Sequence, residues 1–530
     1  MKTKKLYTLF ALAVVFALPA CSDFLDEMPD NRTELDTEDK IVSILVSAYP
    51  EAPYVFTCEF SSDNIDETSL ALPDYLLEQE QLYRWQEVTE SYNDSPTGVW
   101  GSCYGAIASA NQALAAIEEL GGPTTDKLKA AKGEALLCRA YAHFILVNIF
   151  CQAYNAQHAE QDLGIPYMEK AETTLDPKYP RGTVAEVYAK IKTDLEEGLP
   201  LINDEIYSVP KYHFNQKAAY GFASRFYLFY NMWDECIKAA NKVLGSAPEA
   251  MMRDLAANGK FSIQSADLKT MLRTMDYIDY THKCNLMMLA GYSEVGWYTY
   301  PYDNNNGFTF TNWIGNTETF RATTAPYGSG VTLNSPPYSS LSGSNDKLVA
   351  WRVPYLFEYT DPVNNIGRPH IVYPMITVEE VMLNRAEAYI MKKEYAPALE
   401  DMNRWVKGYV KAGASTMTEE SIRKWGERTA YYKPEAPTVK KKFGDTGFTI
   451  EAGVQESMCQ AVLFLRRVET VHLGLRFFDI KRYGITVDRR KLSSPTTLGS
   501  VTDQLVDRDP RCALQIPPEV VKAGMTPNPR

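Results

Sequence analysis

The residue types that do covalent or metal chemistry are all present in this chain, but not at the spacings that such chemistry needs. Its six histidines (His143, His158, His213, His282, His370 and His472) are isolated from one another, and no HExxH, GxSxG or phosphate-loop pattern occurs. His143 lies in an apolar helical run, where a core or rim role is expected rather than metal ligation. Beyond Cys21 there are eight cysteines (Cys58, Cys103, Cys138, Cys151, Cys236, Cys284, Cys459 and Cys512), with no CxxC pair. An even count permits pairing in an exported chain, but their dispersal through runs such as Ala135-Leu136-Leu137-Cys138 points to buried free thiols. A glycoside hydrolase needs only two carboxylates, and 67 acidic residues offer no spacing by which to choose them.

What the chain does concentrate is flat rings beside short polar side chains. That mixture suits a sugar, whose apolar C–H face stacks on an aromatic while its hydroxyl rim meets Asn, Asp, Gln or Arg. Each stacked ring contributes about 1 kcal/mol, so several are needed. One cluster is Tyr83, Trp85, Tyr92, Asn93 and Asp94, in a polar stretch before a helix that begins near Val99; these rings can equally cover helix ends. The other lies in GWYTYPY (296–302), a turn through Asp303 to Gly307, and FTFTNW (308–313), which together read as a β-hairpin. Alternation places Tyr298, Tyr300 and Tyr302 on one face, joined by Trp297, Asp303 and Trp313. If one face meets a ligand the other must pack on the body, so about half of these are structural by that logic. Rings inside helices, such as Tyr227, Phe229, Tyr389 and Trp405, read as core.

The elements that must carry these residues are mainly helical. At 530 residues and 45% apolar, the chain has ample material for a large core, and its 12% aromatic content argues against disorder. Helical periodicity runs through 99–120, stopped by Gly121-Gly122-Pro123, and through 126–150. Thr183 and Glu186 form a capping box for a helix toward Leu199. Residues 215–230 with 233–244, and 377–393 with 395–410, form two helix pairs, and a last helix covers 454–470. Ser224, Tyr227 and Cys236 repeat at the spacing of Ala386, Tyr389 and Ala398. That pattern resembles tetratricopeptide packing, although the pairs are far apart in sequence. Between them, residues 246–376 are rich in Gly, Asn, Ser, Thr, Pro and Tyr, and read as an irregular, partly β-hairpin excursion. The expected organisation is 1–20 signal peptide, 21–34 anchor and linker, 35–245 N-terminal helical part, 246–376 irregular insert, and 377–530 a C-terminal helical part.

The start, MKTKKLYTLFALAVVFALPA, has basic residues and then an apolar run that ends just before Cys21, as in a secretory signal closing on a lipid-modified cysteine. Pro19 is a mild departure from that pattern. The net charge is −13, and loss of Lys2, Lys4 and Lys5 with the first twenty residues takes it to about −16. That balance argues against nucleic acid and against a basic membrane patch.

Several blocks in order resemble the SusD/RagB family, the surface lipoproteins of Bacteroidetes that partner TonB-dependent transporters. They are CSDFLD from Cys21, WGSCYGAIASANQAL (100–114), GEALLCRAYAHFILVNIF (133–150), Gly164-Ile165-Pro166 as a short strand, EVMLNRAEAYI (380–390), GLRFFDIKRYG (474–484) and the closing IPPEV and PNP (516–520, 527–529). Leu473 and Leu465 stand where the family usually has acids. The acidic SDFLDE after Cys21 resembles a surface-export signal. The resemblance implies a mainly α, SusD-like bundle, anchored in the outer membrane through lipidated Cys21 and facing the cell exterior. It implies no catalysis and no cofactor. The implied role is to bind oligosaccharides and hand them to a TonB-dependent, SusC-like barrel. Peptide binding by the same architecture is the alternative, and a lipid-anchored glycoside hydrolase is a more distant one.

Overall fold

Helix starts follow the side chains that satisfy their first amides. Thr125 accepts from Leu128 N–H, Asn215 from Ala218 and Thr377 from Glu380, while Thr183 and Glu186 complete the expected reciprocal box. A computed structural model describes residues 35–530 apart from 69–76, 173–177, 262–265, 300–306, 343–344 and 495–496. The Cys21 segment, and Tyr300, Tyr302 and Asp303 of the expected hairpin, therefore lie outside the described residues.

In chain order the helices are α1 (Glu38–Ile44), α2 (Val55–Ser61), α3 (Leu77–Tyr83), α4 (Pro96–Glu119), α5 (Asp126–Phe150), α6 (Val184–Gly198), α7 (Gln216–Phe229) and α8 (Trp233–Leu244). There follow the short α9 (Leu255–Asn258), α10 (Ala266–Tyr277), α11 (Val295–Tyr298) and α12 (Asn312–Thr317). The last group is α13 (Val378–Met391), α14 (Tyr395–Tyr409), α15 (Glu419–Arg428), α16 (Val454–Thr470), α17 (Leu475–Arg482) and α18 (Pro518–Lys522). The fold is mainly α, as expected.

Helix α5 has the length and hydropathy of a membrane span, yet its apolar stretch is wholly buried, so it is the core helix around which α4 and α6 pack. The two expected helix pairs, α7–α8 and α13–α14, lie far apart in sequence but side by side in space, because α13 packs against α7 and α8. Ser224, Cys236, Ala386 and Ala398 are fully buried at these contacts. Small side chains let the backbones approach until the Asn384 amide donates to Ser224 Oγ (3.2 Å) and the Cys236 thiol faces the Asn384 carbonyl (3.6 Å).

The strands are short. β1 (Asp66–Glu67), β2 (Asn285–Tyr292), β3 (Phe308–Thr309), β4 (Thr332–Leu333), β5 (Tyr338–Ser342), β6 (Asn345–Val349), β7 (Leu356–Asp361) and β8 (Ile366–Thr377) precede β9 (Val410–Ala412), β10 (Val487–Ser494) and β11 (Thr497–Leu505). One sheet runs β11-β10-β1-β3, another β2-β8-β7, and β5 pairs with β6 as a hairpin. Among the described residues, the hairpin expected at 296–313 does not form. Residues 295–298 form helix α11, and β3 pairs with β1 through Thr309 opposite Asp66. Gly164-Ile165-Pro166 is likewise not a strand, only a neighbour of the Leu163–Thr183 bridge. All eight described cysteines are buried and unpaired.

The segment 474–484 is a clamp of buried charge. Arg476 grips Asp63 through two bonds of 2.8 Å, Asp479 accepts from Arg466 and Arg482, and Arg482 also meets Glu387 at 2.9 Å. Lys481 donates to the carbonyls of Asn148 and Cys151, both 2.6 Å, at the end of α5. Gly474 takes φ +75° because the chain turns there against Val55. Leu465 and Leu473, the departures from the resembled pattern, are both core residues.

His143 is core as well. Its Nδ1–H donates to Arg139 O (2.8 Å) and its Nε2 accepts from Met168 N–H (3.0 Å), while burial lowers its pKa to about 3. Glu387→Ala would leave Arg466 and Arg482 buried with half their counter-charge. It is expected to cost about 3–5 kcal/mol, read as a fall in the urea midpoint at unchanged slope.

Candidate functional site

The stretch before α4 folds back on the helix it precedes. Ser95 caps α4 by accepting from Gly98 N–H (3.1 Å), and its own amide and hydroxyl both donate to Tyr92 O. A Cβ on Gly98 would stand 2.4 Å from that same carbonyl, so only glycine admits this turn. Tyr92 and Asn93 are thereby pushed outward and Asp94 inward. The Asp94 carboxylate accepts from Ser293 Oγ (2.5 Å) and from Glu294 N–H (2.6 Å), bolting this turn to the end of β2 some 200 residues later.

Helix α11 follows directly. Gly296 lies so close to Pro354 that an added Cβ would be 2.1 Å from its carbonyl oxygen. That contact brings the Trp297 ring to 5.1 Å from Tyr355. Tyr298 turns the other way, packing on Phe56 at 5.2 Å and donating to Glu294 Oε2 at 3.2 Å. From the neighbouring strand β8, the Arg368 guanidinium stands 5.4 Å over the Tyr292 ring.

Between these segments is a cleft of about 410 Å³, lined by Phe56, Glu78, Ser91, Tyr92, Asn93, Asp94, Ser293, Glu294, Tyr298, Arg368 and Pro369. The structure thus brings members of both expected clusters to one place, since Tyr92, Asn93 and Asp94 share the cleft with Tyr298, and Trp297 sits beside it on α11. Tyr92 is 59% exposed and Trp297 45%. Tyr355 and Tyr359 add exposed rings on the Trp297 side.

Tyr83 and Trp85 are not at the site; the expectation of open ring faces is corrected by their burial. Trp85 is 2% exposed, holds φ +51° and donates its indole N–H to Ser61 O at 2.9 Å. The Arg489 guanidinium stands 4.1 Å from each of the two rings and is tied to the carbonyls of Ser62 and Phe60. A buried cation needs these π-faces and carbonyls as its solvent, which removes both rings from any ligand. Trp313 is half-buried on α12 and does not line the cleft.

Sequence reasoning missed Glu78, Glu294, Arg368, Tyr355 and Tyr359. Only the Tyr355-Leu356-Phe357-Glu358-Tyr359 alternation offered a local signal for any of them.

The electrostatics of the cleft are acidic. Burial, with Glu294 nearby, pushes Asp94 up to about 7 despite its two hydrogen bonds. Burial and then the charges of Asp94, Glu90 and Glu294 push Glu78 up to about 8. Among the described residues no group of His, Cys, Asp or Glu gathers as metal ligands would. A second pocket of about 350 Å³, with Trp100, Tyr104, Ile107, Met168, Tyr179 and Met525 in its walls, is mostly apolar and draws on neither cluster.

Glu78 gives a pH test. Its folded pKa lies above the unfolded value, so its contribution to stability is present in acid and lost as pH rises from about 4.5 to about 8. Glu78→Gln lacks that loss. Its Tm is expected to exceed the native one by a margin that grows by a few °C between those pH values, measured by calorimetry; a margin independent of pH would contradict the assignment.

Comparison with known proteins agrees with this architecture. A family model described as SusD-like, starch-binding and associating with the outer membrane matches residues 23–228. Among curated proteins none matches. A SusD superfamily protein of Bacteroides thetaiotaomicron superposes with a TM-score of 0.62 at 17% identity, covering 94% of this chain and 100% of its own. One from Bacteroides fragilis gives 0.61 at 17%, covering 93% and 99%. A SusD-like carbohydrate-binding protein of Bacteroides vulgatus gives 0.60 at 15%, covering 93% and 97%. The chain thus resembles the SusD-like family in sequence over residues 23–228, and shares the superfamily's fold over nearly its whole length.

Proposed function

We propose that this chain is a non-catalytic oligosaccharide-binding protein of the bacterial outer membrane, which captures its ligand at the Tyr92–Trp297 cleft and passes it to a TonB-dependent, SusC-like transporter. The observation that carries the binding reading is the exposure of Tyr92 in a cleft with polar Asn93, Glu294 and Arg368, with exposed Trp297 on the adjoining helix α11. Open ring faces beside amide, carboxylate and guanidinium groups match the apolar face and hydroxyl rim of a sugar. Support also comes from the family description, which names starch binding and the outer membrane, and from the carbohydrate-binding neighbour of similar fold. Tyr300, Tyr302 and Asp303 follow α11 in sequence and remain candidates for the same site.

Anchoring through a lipid on Cys21, with the cleft facing the cell exterior, completes the reading. The signal-like stretch before Cys21 and the acidic residues after it favour this arrangement. Cys21→Ser is expected to move the protein from the membrane pellet to the soluble fraction, and a variant still in the pellet would count against the anchor.

Alanine at Tyr92 or at Trp297 removes one stacked face, worth about 1 kcal/mol, and should weaken oligosaccharide binding about fivefold without lowering Tm. Both together should weaken binding about thirtyfold in affinity electrophoresis or calorimetry. Trp85→Ala is expected to act differently, lowering Tm by exposing Arg489. Unchanged saccharide affinity in the double variant would move the site elsewhere. Capture of peptides with no saccharide signal would replace the ligand class. Turnover of the bound oligosaccharide, lost in Glu78→Gln, would make the chain a hydrolase.

A further inference from the structure

Glu78 stands in the wall of the cleft without the hydrogen bonds that hold its neighbour Asp94. It is 1% exposed, its side chain forms neither a hydrogen bond nor an ion pair among the described residues, and its Oε1 is buried with no partner there. Buried polar atoms nearly always have partners, and a buried carboxyl without one costs free energy that another contact must offset. Glu379 likewise keeps one buried oxygen without a partner, but it accepts a hydrogen bond from the Arg253 amide and lines no part of this cleft. Other buried carboxylates, Glu318, Glu380, Glu387 and Asp479, each lie within 3.5 Å of a guanidinium or ammonium. The charged groups facing Glu78 are instead Asp94, Glu90 and Glu294, all of its own sign. Arg368, the cation in the cleft wall, stands over Tyr292 and makes no ion pair with Glu78.

We propose, building on the oligosaccharide-binding reading above, that the cleft takes an oligomer bearing a protonated primary amine, with the Glu78 carboxylate as its counter-ion. The preferred ligands are then sugars with a free amine rather than uncharged or acidic ones. A metal ion is the poorer fit, because it needs several ligands converging at about 2.0–2.6 Å and no such group is assembled here. An ammonium has three N–H donors on a compact charge and requires one buried carboxylate with acceptors around it. Glu78 supplies the first, and Glu294 and Asn93 stand at the rim for the others. The exposed ring of Tyr92 in the cleft wall adds cation–π attraction. An acidic saccharide would instead be brought against three carboxyl groups and a single guanidinium.

The binding step has its own proton balance. In the empty cleft Glu78 holds a proton at neutral pH, since it titrates at about 8. When an ammonium takes its place beside the carboxyl, that proton passes to the buffer and no other bond changes.

The test titrates the full mature chain near pH 6.5 with glucosamine hexamer, its fully N-acetylated counterpart, cellohexaose and a galacturonate hexamer. Each titration is done in two buffers of different ionisation heat. A hydrogen bond to a charged partner contributes about 1.5–3 kcal/mol, of which ionising Glu78 at this pH offsets about 2 kcal/mol, so the glucosamine oligomer should bind up to about fivefold more tightly than the N-acetylated one. It should also release a proton that the neutral oligomers do not. In Glu78→Gln both the affinity ratio and the proton release should fall toward nil, and Glu294→Gln should lower the ratio by a smaller factor.

Equal affinity for the amine and N-acetyl oligomers, with no proton release, overturns the amine assignment while leaving oligosaccharide binding intact. Tighter binding of galacturonate overturns it in the same way. No binding of any saccharide removes the functional reading on which it rests.

Discussion

Asp63 and Glu318 sit in the interior among Lys441, Arg467, Arg476 and Arg490, with Asp66 at the margin. Burial alone would raise the Glu318 pKa; the three cations around it hold it at about 2. These residues come from the beginning, the insert and the end of the chain, so the cluster forms only when all three are in register. Its neighbour, Glu387 and Asp479 with Arg466 and Arg482, does the same for α13, α16 and α17. Desolvation makes such clusters a weak source of net stability, but a wrong register leaves several charges buried without partners, at several kcal/mol each. They therefore act as a filter on topology. That constraint fits a protein whose paired helices are separated by more than a hundred residues of excursion.

The closing residues join the same frame. Asn528 donates to the carbonyls of Phe150 and Leu514 and accepts from Arg181, so the end of the chain ties down the end of α5. The blocks that carried the family resemblance, from Trp100 to Asn528, are thus almost entirely fastening. Asn111 bonds Arg139, Arg139 pairs with Asp194, and Glu134 holds Tyr49 and His213. This explains how a likeness of sequence identifies the scaffold without identifying the ligand, since none of those side chains lines the Tyr92 cleft.

Helices were legible because their evidence is local. The Thr183–Glu186 box, the Gly121-Gly122-Pro123 stop and the apolar period of 126–150 each depend on neighbours a turn away. The small-residue spacing of Ser224, Cys236, Ala386 and Ala398 was legible for the same reason, though not that the two pairs would touch. The hairpin at 296–313 failed because alternation in aromatic residues says which side chains are large, not which backbone they ride on. Gly296 against Pro354 and the docking of Phe308 beside Tyr83 decided that, and both partners are distant in sequence. Trp85 and Tyr92, seven residues apart and alike in composition, ended on opposite sides of the surface. Arg489, four hundred residues on, requires the first; the Ser95 cap expels the second. The cleft was half legible in consequence. Its rim residues announced themselves by type, whereas Glu78 and Arg368 became site residues only through the tertiary structure.

Under the proposed function, the geometry also bears on how the site would both capture and release its ligand. Its rings stand at the edges of segments whose backbones are fixed: Tyr92 by the Ser95 turn and the Asp94 bolt, Trp297 by Gly296 and Tyr355. A ring already held in place loses little conformational freedom on binding, so a modest stacking energy is expressed nearly in full. Because each ring contributes only about 1 kcal/mol, losing one contact at a time is easy, and an oligomer can be peeled away by a competing surface without any step as costly as the whole interaction. Exposed rings on a stiff frame therefore suit transfer better than a deep enclosing pocket would. A deep pocket must surrender its contacts together, and the dissociation rate falls exponentially with their sum.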